Sequence, residues 1–149
     1  MSGPIAVRRI QFAAGHRVHK HESKCSNMHG HNYVIFFHAR QKSGGLDAIG
    51  RVIDFSVLKE KLGGWIEKSW DHGFIYHYKD KELDLLFKTK LQSHKSFSMK
   101  TNPTAENMGL FLLHDICPRL LEETGVEVFK IVVWETENCS AEVALEETV

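Results

Sequence analysis

Cys25-Ser26-Asn27-Met28-His29-Gly30-His31-Asn32-Tyr33 is the stretch on which the reading of this chain turns. In an extended strand, side chains at i and i+2 share a face. His29 and His31 therefore aim two imidazoles at one point, and imidazole is a good zinc ligand. Residues 31–41, rich in aromatic and β-branched side chains, read as a strand that begins at His31. Upstream, residues 5–14 read as another strand, with Val7, Ile10 and Phe12 as its apolar positions. A polar loop of residues 17–28 joins the two, and such a connection pairs them most simply as antiparallel neighbours. The end of the first strand then lies beside the start of the second. That places His16 with His29 and His31 and completes a three-imidazole set. A catalytic zinc keeps its fourth position open and a structural zinc closes it. At this point Cys25 is either a closing ligand or a free group beside an open site.

The totals bound the rest. At 149 residues, with 42% hydrophobic content, the chain reads as one domain spanning 1–149. Nineteen basic and nineteen acidic residues balance, so charge points to neither a nucleic-acid nor a membrane partner. No apolar run approaches a membrane span. Ten histidines are many for this length. Three cysteines at irregular spacing, with no secretory signal, indicate reduced thiols and a cytoplasmic protein. Cys117 and Cys139 read as structural.

Beyond the first hairpin, Asp54 is the expected N-cap of a helix over residues 55–69, with Phe55, Leu58, Leu62, Trp65 and Ile66 as its apolar stripe. Residues 79–101 are lysine-rich, with a short amphipathic piece around Leu83, Leu86, Phe87 and Leu91, and read as a peripheral excursion. Thr104 is the expected N-cap of a second helix, with Glu106 in its first turn. Pro118 kinks or ends that helix. Residues 127–136 and 140–146 read as two further strands. The order β-β-α-α-β-β predicts an α+β domain: an antiparallel sheet with two helices on one face. Strands 5–14 and 140–146 would then be its edges.

Other candidates are weaker singly. Asp71-His72 is either a helix-terminal pair or a carboxylate holding an imidazole in one tautomer for proton transfer. Glu135, after Ile131-Val132-Val133-Trp134, lies either at the solvent edge or against a ligand. His19 and His21 read as exposed loop residues. The three tryptophans read as core or interface.

Taken together, Phe12-Ala13-Ala14-Gly15-His16-Arg17, Cys25-x-x-x-His29-Gly30-His31-Asn32-Tyr33, Val52-Ile53-Asp54-Phe55, Asp71-His72, Asn102-Pro103-Thr104-Ala105-Glu106-Asn107 and Trp134-Glu135-Thr136 resemble the 6-pyruvoyl-tetrahydropterin synthase family over nearly the whole chain. The likeness is greatest to its bacterial 6-carboxy-tetrahydropterin synthase branch, which acts in queuosine biosynthesis. The resemblance implies a tunnelling (T) fold whose strands join between subunits into a β-barrel, with two trimers stacked as a homohexamer. It implies Zn²⁺ on His16, His29 and His31, with Cys25 as proton acceptor and Asp71-His72 as its relay. It implies Glu135 as the anchor of the pterin ring and part of that relay, with Thr104 and Glu106 as candidate substrate contacts. The substrate it implies is a dihydropterin triphosphate. The carboxy-forming members share the three-residue gap between Cys25 and His29. Alternatives are the pyruvoyl-forming reaction and a non-catalytic zinc-containing pterin-binding protein. Against the family's shorter members, the segment 79–101 reads as an insertion.

Overall fold

A computed structural model describes residues 3–20 and 24–147. Strand β1 (Ala6–His16) and strand β2 (His29–Gln41) form the predicted antiparallel hairpin. Their alternation decides which face is buried. Tyr33, Ile35, Phe37 and Ala39 of β2 point into the core beside Phe12 and Ala14 of β1. Strand β5 (Val126–Thr136) pairs antiparallel with β2, and β6 (Cys139–Ala144) with β5. A bulge opposite His38 and Ala39 lets β5 bury Val126 and Val128 before it and Ile131 and Val133 after it.

Helix α1 comprises Phe55–Leu58, a wider π-helical turn Lys59–Gly63, and Gly64–Ser69. Helix α3 comprises Ala105–Phe111, a π-helical turn Leu112–Ile116, and Cys117–Leu120. Both start at the expected caps. The Asp54 carboxylate accepts from the Ser56 amide, and the Thr104 hydroxyl from the Asn107 amide at 3.1 Å. Pro118 does not end α3. The wider turn precedes it, where a regular helix would set the proline ring against the carbonyl four residues back. Leu58, Leu62, Ile66 and Trp70 from the α1 region, and Met108, Leu112, Leu113 and Ile116 from α3, cover one sheet face in a single core. Each such side chain contributes about 2 kcal/mol by leaving water.

The sheet is larger than the sequence predicts, and mixed. Strand β3 (Gly73–His77) runs parallel to the end of β1, and β4 (Ser96–Met99) runs parallel to β3, giving the order β4-β3-β1-β2-β5-β6. Helix α2 (Lys81–Lys88) lies between them in the chain. Its Leu83 and Phe87 pack with Tyr76, Phe74, Leu86 and Leu91 in a second small core. Residues 79–101 are therefore built into the sheet and its flank. Four- and five-residue strands show too few alternations to read, and a parallel pair leaves no hairpin turn to mark it. Strand β1 is also not a plain edge: β3 covers Ala14–His16, while residues 6–13 have no ladder partner on that side among the described residues.

Candidate metal centre and active site

The β1–β2 register sets His16 opposite His29 and Ala14 opposite His31. Gly15 leaves room for β3 on the other side of β1: a Cβ there would stand 2.7 Å from the Phe74 ring. The three histidines lie on the core side at one end of the sheet, with ring centroids 4.6–5.0 Å apart.

The backbone sets the tautomers of two of them. His16 Nδ1 donates to the Pro103 carbonyl at 2.8 Å, and His29 Nδ1 to the Asn27 carbonyl at 2.7 Å. Both Nε2 atoms are then bare lone pairs, and they stand 3.0 Å apart. Two lone pairs at that distance repel unless a cation binds both. His31 Nε2 is buried with no hydrogen-bond partner. A buried polar atom so placed calls for a ligand. One donor atom from each of His16, His29 and His31 lies within 4.8 Å of the others, and neither Cys25 nor Glu135 belongs to that group. Burial lowers the His16 pKa to about 4 and lowers that of His31 as well, against the pull of Glu135. Neutral imidazoles are what a metal requires. The donor set therefore fits a metal ion.

The surroundings explain several motif residues. Thr104, capping α3, and Asn107, whose side chain donates to the Asn102 carbonyl, shape the turn that presents the Pro103 oxygen to His16. Thr104 thus spends its hydroxyl on the helix, and Glu106 is exposed in the first turn. Tyr33 packs its hydroxyl 3.2 Å from His16 Nδ1.

Glu135 extends from β5 to the triad, with Oε1 3.4 Å from His16 Nε2 and 3.3 Å from His31 Nε2. It is not at the solvent edge. Beside it, a cleft of about 700 Å³ is lined by Arg9, His31, Asn32, Phe36, Trp134, Glu135 and Thr136.

Asp71 is clamped on both oxygens: Oδ1 accepts from the Ala13 amide at 3.0 Å, and Oδ2 lies 3.0 Å from His72 Nδ1. Burial alone would raise its pKa, but those two contacts hold it below the ordinary carboxylate range. His72 has φ +60° and an 82% exposed side chain. Its backbone amide donates to the Ala13 carbonyl. His72 and His31 line a shared depression of about 420 Å³.

Cys25 sits half-buried in the short 3₁₀ turn Lys24–Ser26, and its carbonyl accepts from the Val18 amide at 3.0 Å. Cys117 is buried, its thiol pushed up to about 12 by desolvation, and Cys139 is exposed. His19 is not an exposed loop residue. It is only 27% exposed, its amide donates to Asn102 Oδ1, and its carbonyl accepts from Asn102 Nδ2. His21 lies outside the described residues. The sequence reading passes over Arg17 and Asp80, although Asp80-Lys81-Glu82 is a legible helix start.

Residues 5–146 match the family model described as 6-pyruvoyl tetrahydropterin synthase. The chain belongs to that family. Among curated relatives, it is 41% identical over 140 residues to a 6-carboxy-5,6,7,8-tetrahydropterin synthase of Rickettsia bellii, covering 92% of this chain and 97% of the relative. It is 34% identical to a protein of the same name from Aquifex aeolicus, covering 91% and 94%. Among solved structures, an uncharacterized protein from Wolinella succinogenes superposes with a TM-score of 0.81 at 23% identity, covering 96% and 98%. The 6-pyruvoyl tetrahydropterin synthase of Caenorhabditis elegans does so with a TM-score of 0.65 at 24% identity, covering 98% and 99%. The fold is the family's T-fold, in an α+β chain with a curled mixed sheet of six strands. No helix among the described residues is long and apolar enough to cross a membrane.

Proposed function

We propose that this pterin synthase, a carbon–oxygen lyase, converts 7,8-dihydroneopterin triphosphate and water to 6-carboxy-5,6,7,8-tetrahydropterin, acetaldehyde and triphosphate. Its place is then in the cytoplasm, in queuosine (7-deazaguanine) synthesis. The observation that carries the reading is the triad: two backbone-fixed Nε2 lone pairs 3.0 Å apart, with the buried Nε2 of His31, which makes no hydrogen bond, beside them. The names of the curated relatives favour the carboxylated product.

His16, His29 and His31 would hold Zn²⁺. Bound there, the ion supplies Lewis-acid polarisation of the substrate's side-chain oxygens and acidifies the neighbouring C–H bond. Cys25 takes the proton as the general base. Asp71 holds the His72 imidazole so that it can pass that proton on. Glu135 accepts two hydrogen bonds from the aminopyrimidine edge of the pterin, in the manner of a carboxylate receiving arginine, and belongs to the same relay. Its position against His16 and His31, next to a cleft with the volume for a small heterocycle, supports that role. Thr104 and Glu106 are carried as substrate contacts by their place in the motif next to Pro103.

The assembly is a homohexamer of two stacked trimers, with strands joined across subunits into a barrel. The partly unpaired β1, the exposed Val7 and the solvent-facing His72 support a site completed by a neighbouring copy.

The test is incubation of purified protein with 7,8-dihydroneopterin triphosphate alone, with products identified by mass. Acetaldehyde with a carboxylated pterin is expected. A product that keeps all three side-chain carbons, without acetaldehyde, would assign the pyruvoyl-forming reaction instead.

A further inference from the structure

Beyond His16 the chain is fastened by the segment that reads as an insertion. Arg17 Nε donates to Asp80 Oδ2 at 2.8 Å and its Nη2 to the other oxygen, while Nη1 donates to Glu82 Oε1 at 2.8 Å. Asp80 is 1% exposed, the only buried carboxylate among the described residues. It also caps α2 through the Leu83 amide, and α2 packs by Leu83 and Phe87 onto Tyr76 and Phe74 of β3. Arg17 is thus tied to the start of α2, which packs on the flank of the sheet.

The residues that follow carry the restraint onward. The Val18 amide donates to the Cys25 carbonyl, and His19 is bracketed by Asn102 on both its amide and its carbonyl. Taking a carboxylate and a guanidinium out of water is costly, so a buried pair is weak evidence for stability. Its distinctive property is geometry: the planar guanidinium fixes direction as well as distance, which an ammonium does not.

We infer that the Arg17–Asp80 pair is a positioning latch, which fixes the chain leaving His16 and, through the Val18–Cys25 backbone bond, sets where the Cys25 thiol stands relative to the triad. This rests on Cys25 being the proton acceptor. Arg17 and Asp80 act through Cys25 and take no part in the chemistry.

The test uses full-length protein in a Cys139→Ser background, with Arg17→Lys and the double variant Arg17→Met/Asp80→Leu, which removes both charges together. Four quantities are read: zinc content, Tm, kcat and KM on dihydroneopterin triphosphate, and the pH profile of Cys25 alkylation by iodoacetamide. Both variants are expected to keep the zinc content of the parent. A displacement of about 1 Å costs on the order of 100-fold in rate, so kcat should fall about 10- to 100-fold, with KM within about twofold. The alkylation profile should shift in both. A lower Tm with unchanged kcat and an unchanged alkylation profile would overturn the latch and leave the pair purely structural. If the parent itself forms no pterin product, the functional reading fails, and the alkylation profile still decides the latch.

Discussion

His16 and His29 face each other through their Nε2 atoms at 3.0 Å, each having turned its Nδ1 to a backbone carbonyl, of Pro103 and of Asn27. The arrangement is made by pieces far apart in the chain: a strand end, a strand start and the turn before α3. Its consequence is electronic. Each ring is fixed in the tautomer whose free lone pair faces the shared point, so the backbone acts as the outer shell that orients metal ligands.

The latch has a pH signature of its own. Burial would raise the Asp80 pKa, but the Arg17 guanidinium outweighs it and holds the carboxyl below its ordinary value. A carboxyl depressed on folding stabilises the protein above its unfolded pKa of about 4, and that stabilisation fades as pH falls through the folded value. Thermal unfolding followed from pH 7 to pH 2 should therefore show a steeper loss of Tm below pH 4 in the parent than in Asp80→Asn. At pH 7 the variant should have the lower Tm. Parallel curves across the whole range would contradict the ion pair.

Thiol chemistry should sort the three cysteines by environment. Desolvation holds the Cys117 thiol protonated to about pH 12, whereas Cys139 is exposed and Cys25 half-buried. Native protein with excess iodoacetamide at pH 8 should take up two labels, on Cys25 and Cys139, and a third only after unfolding, as located by peptide mass. A label on Cys117 in the native state would contradict the packing of α3.

Assembly gives another check. Light scattering at micromolar concentration should return about six times the chain's 17.1 kDa. A charge on the open flank of β1, as in Val7→Asp, should lower that mass. A monomer in the parent would count against the shared barrel and against a site that uses a neighbour's residues.

How far the sequence carries one can be seen in particular residues. The hairpin and the triad are legible because their signals are local: two histidines at i and i+2, a third at the end of the paired strand, with caps at Asp54 and Thr104. Glu135 is ambiguous in sequence, because only the β2–β5 register decides that a carboxylate after Trp134 turns toward His31. The β3–β4 pair is not legible, since its four and five residues pair in parallel with distant partners. Arg17–Asp80 is missed for the same reason: sixty-three positions separate its halves. The role of Pro103 is carried by a carbonyl oxygen, which no side chain announces.

The central claim is that three histidines hold the ion while Cys25 stands outside its coordination and does chemistry. Metal content by mass spectrometry, measured beside turnover on the same samples, tests it most directly. The parent and Cys25→Ala should each carry about one zinc per chain, with turnover lost in Cys25→Ala. His31→Ala should lose both. Loss of zinc from Cys25→Ala would make the thiol a ligand and contradict the account.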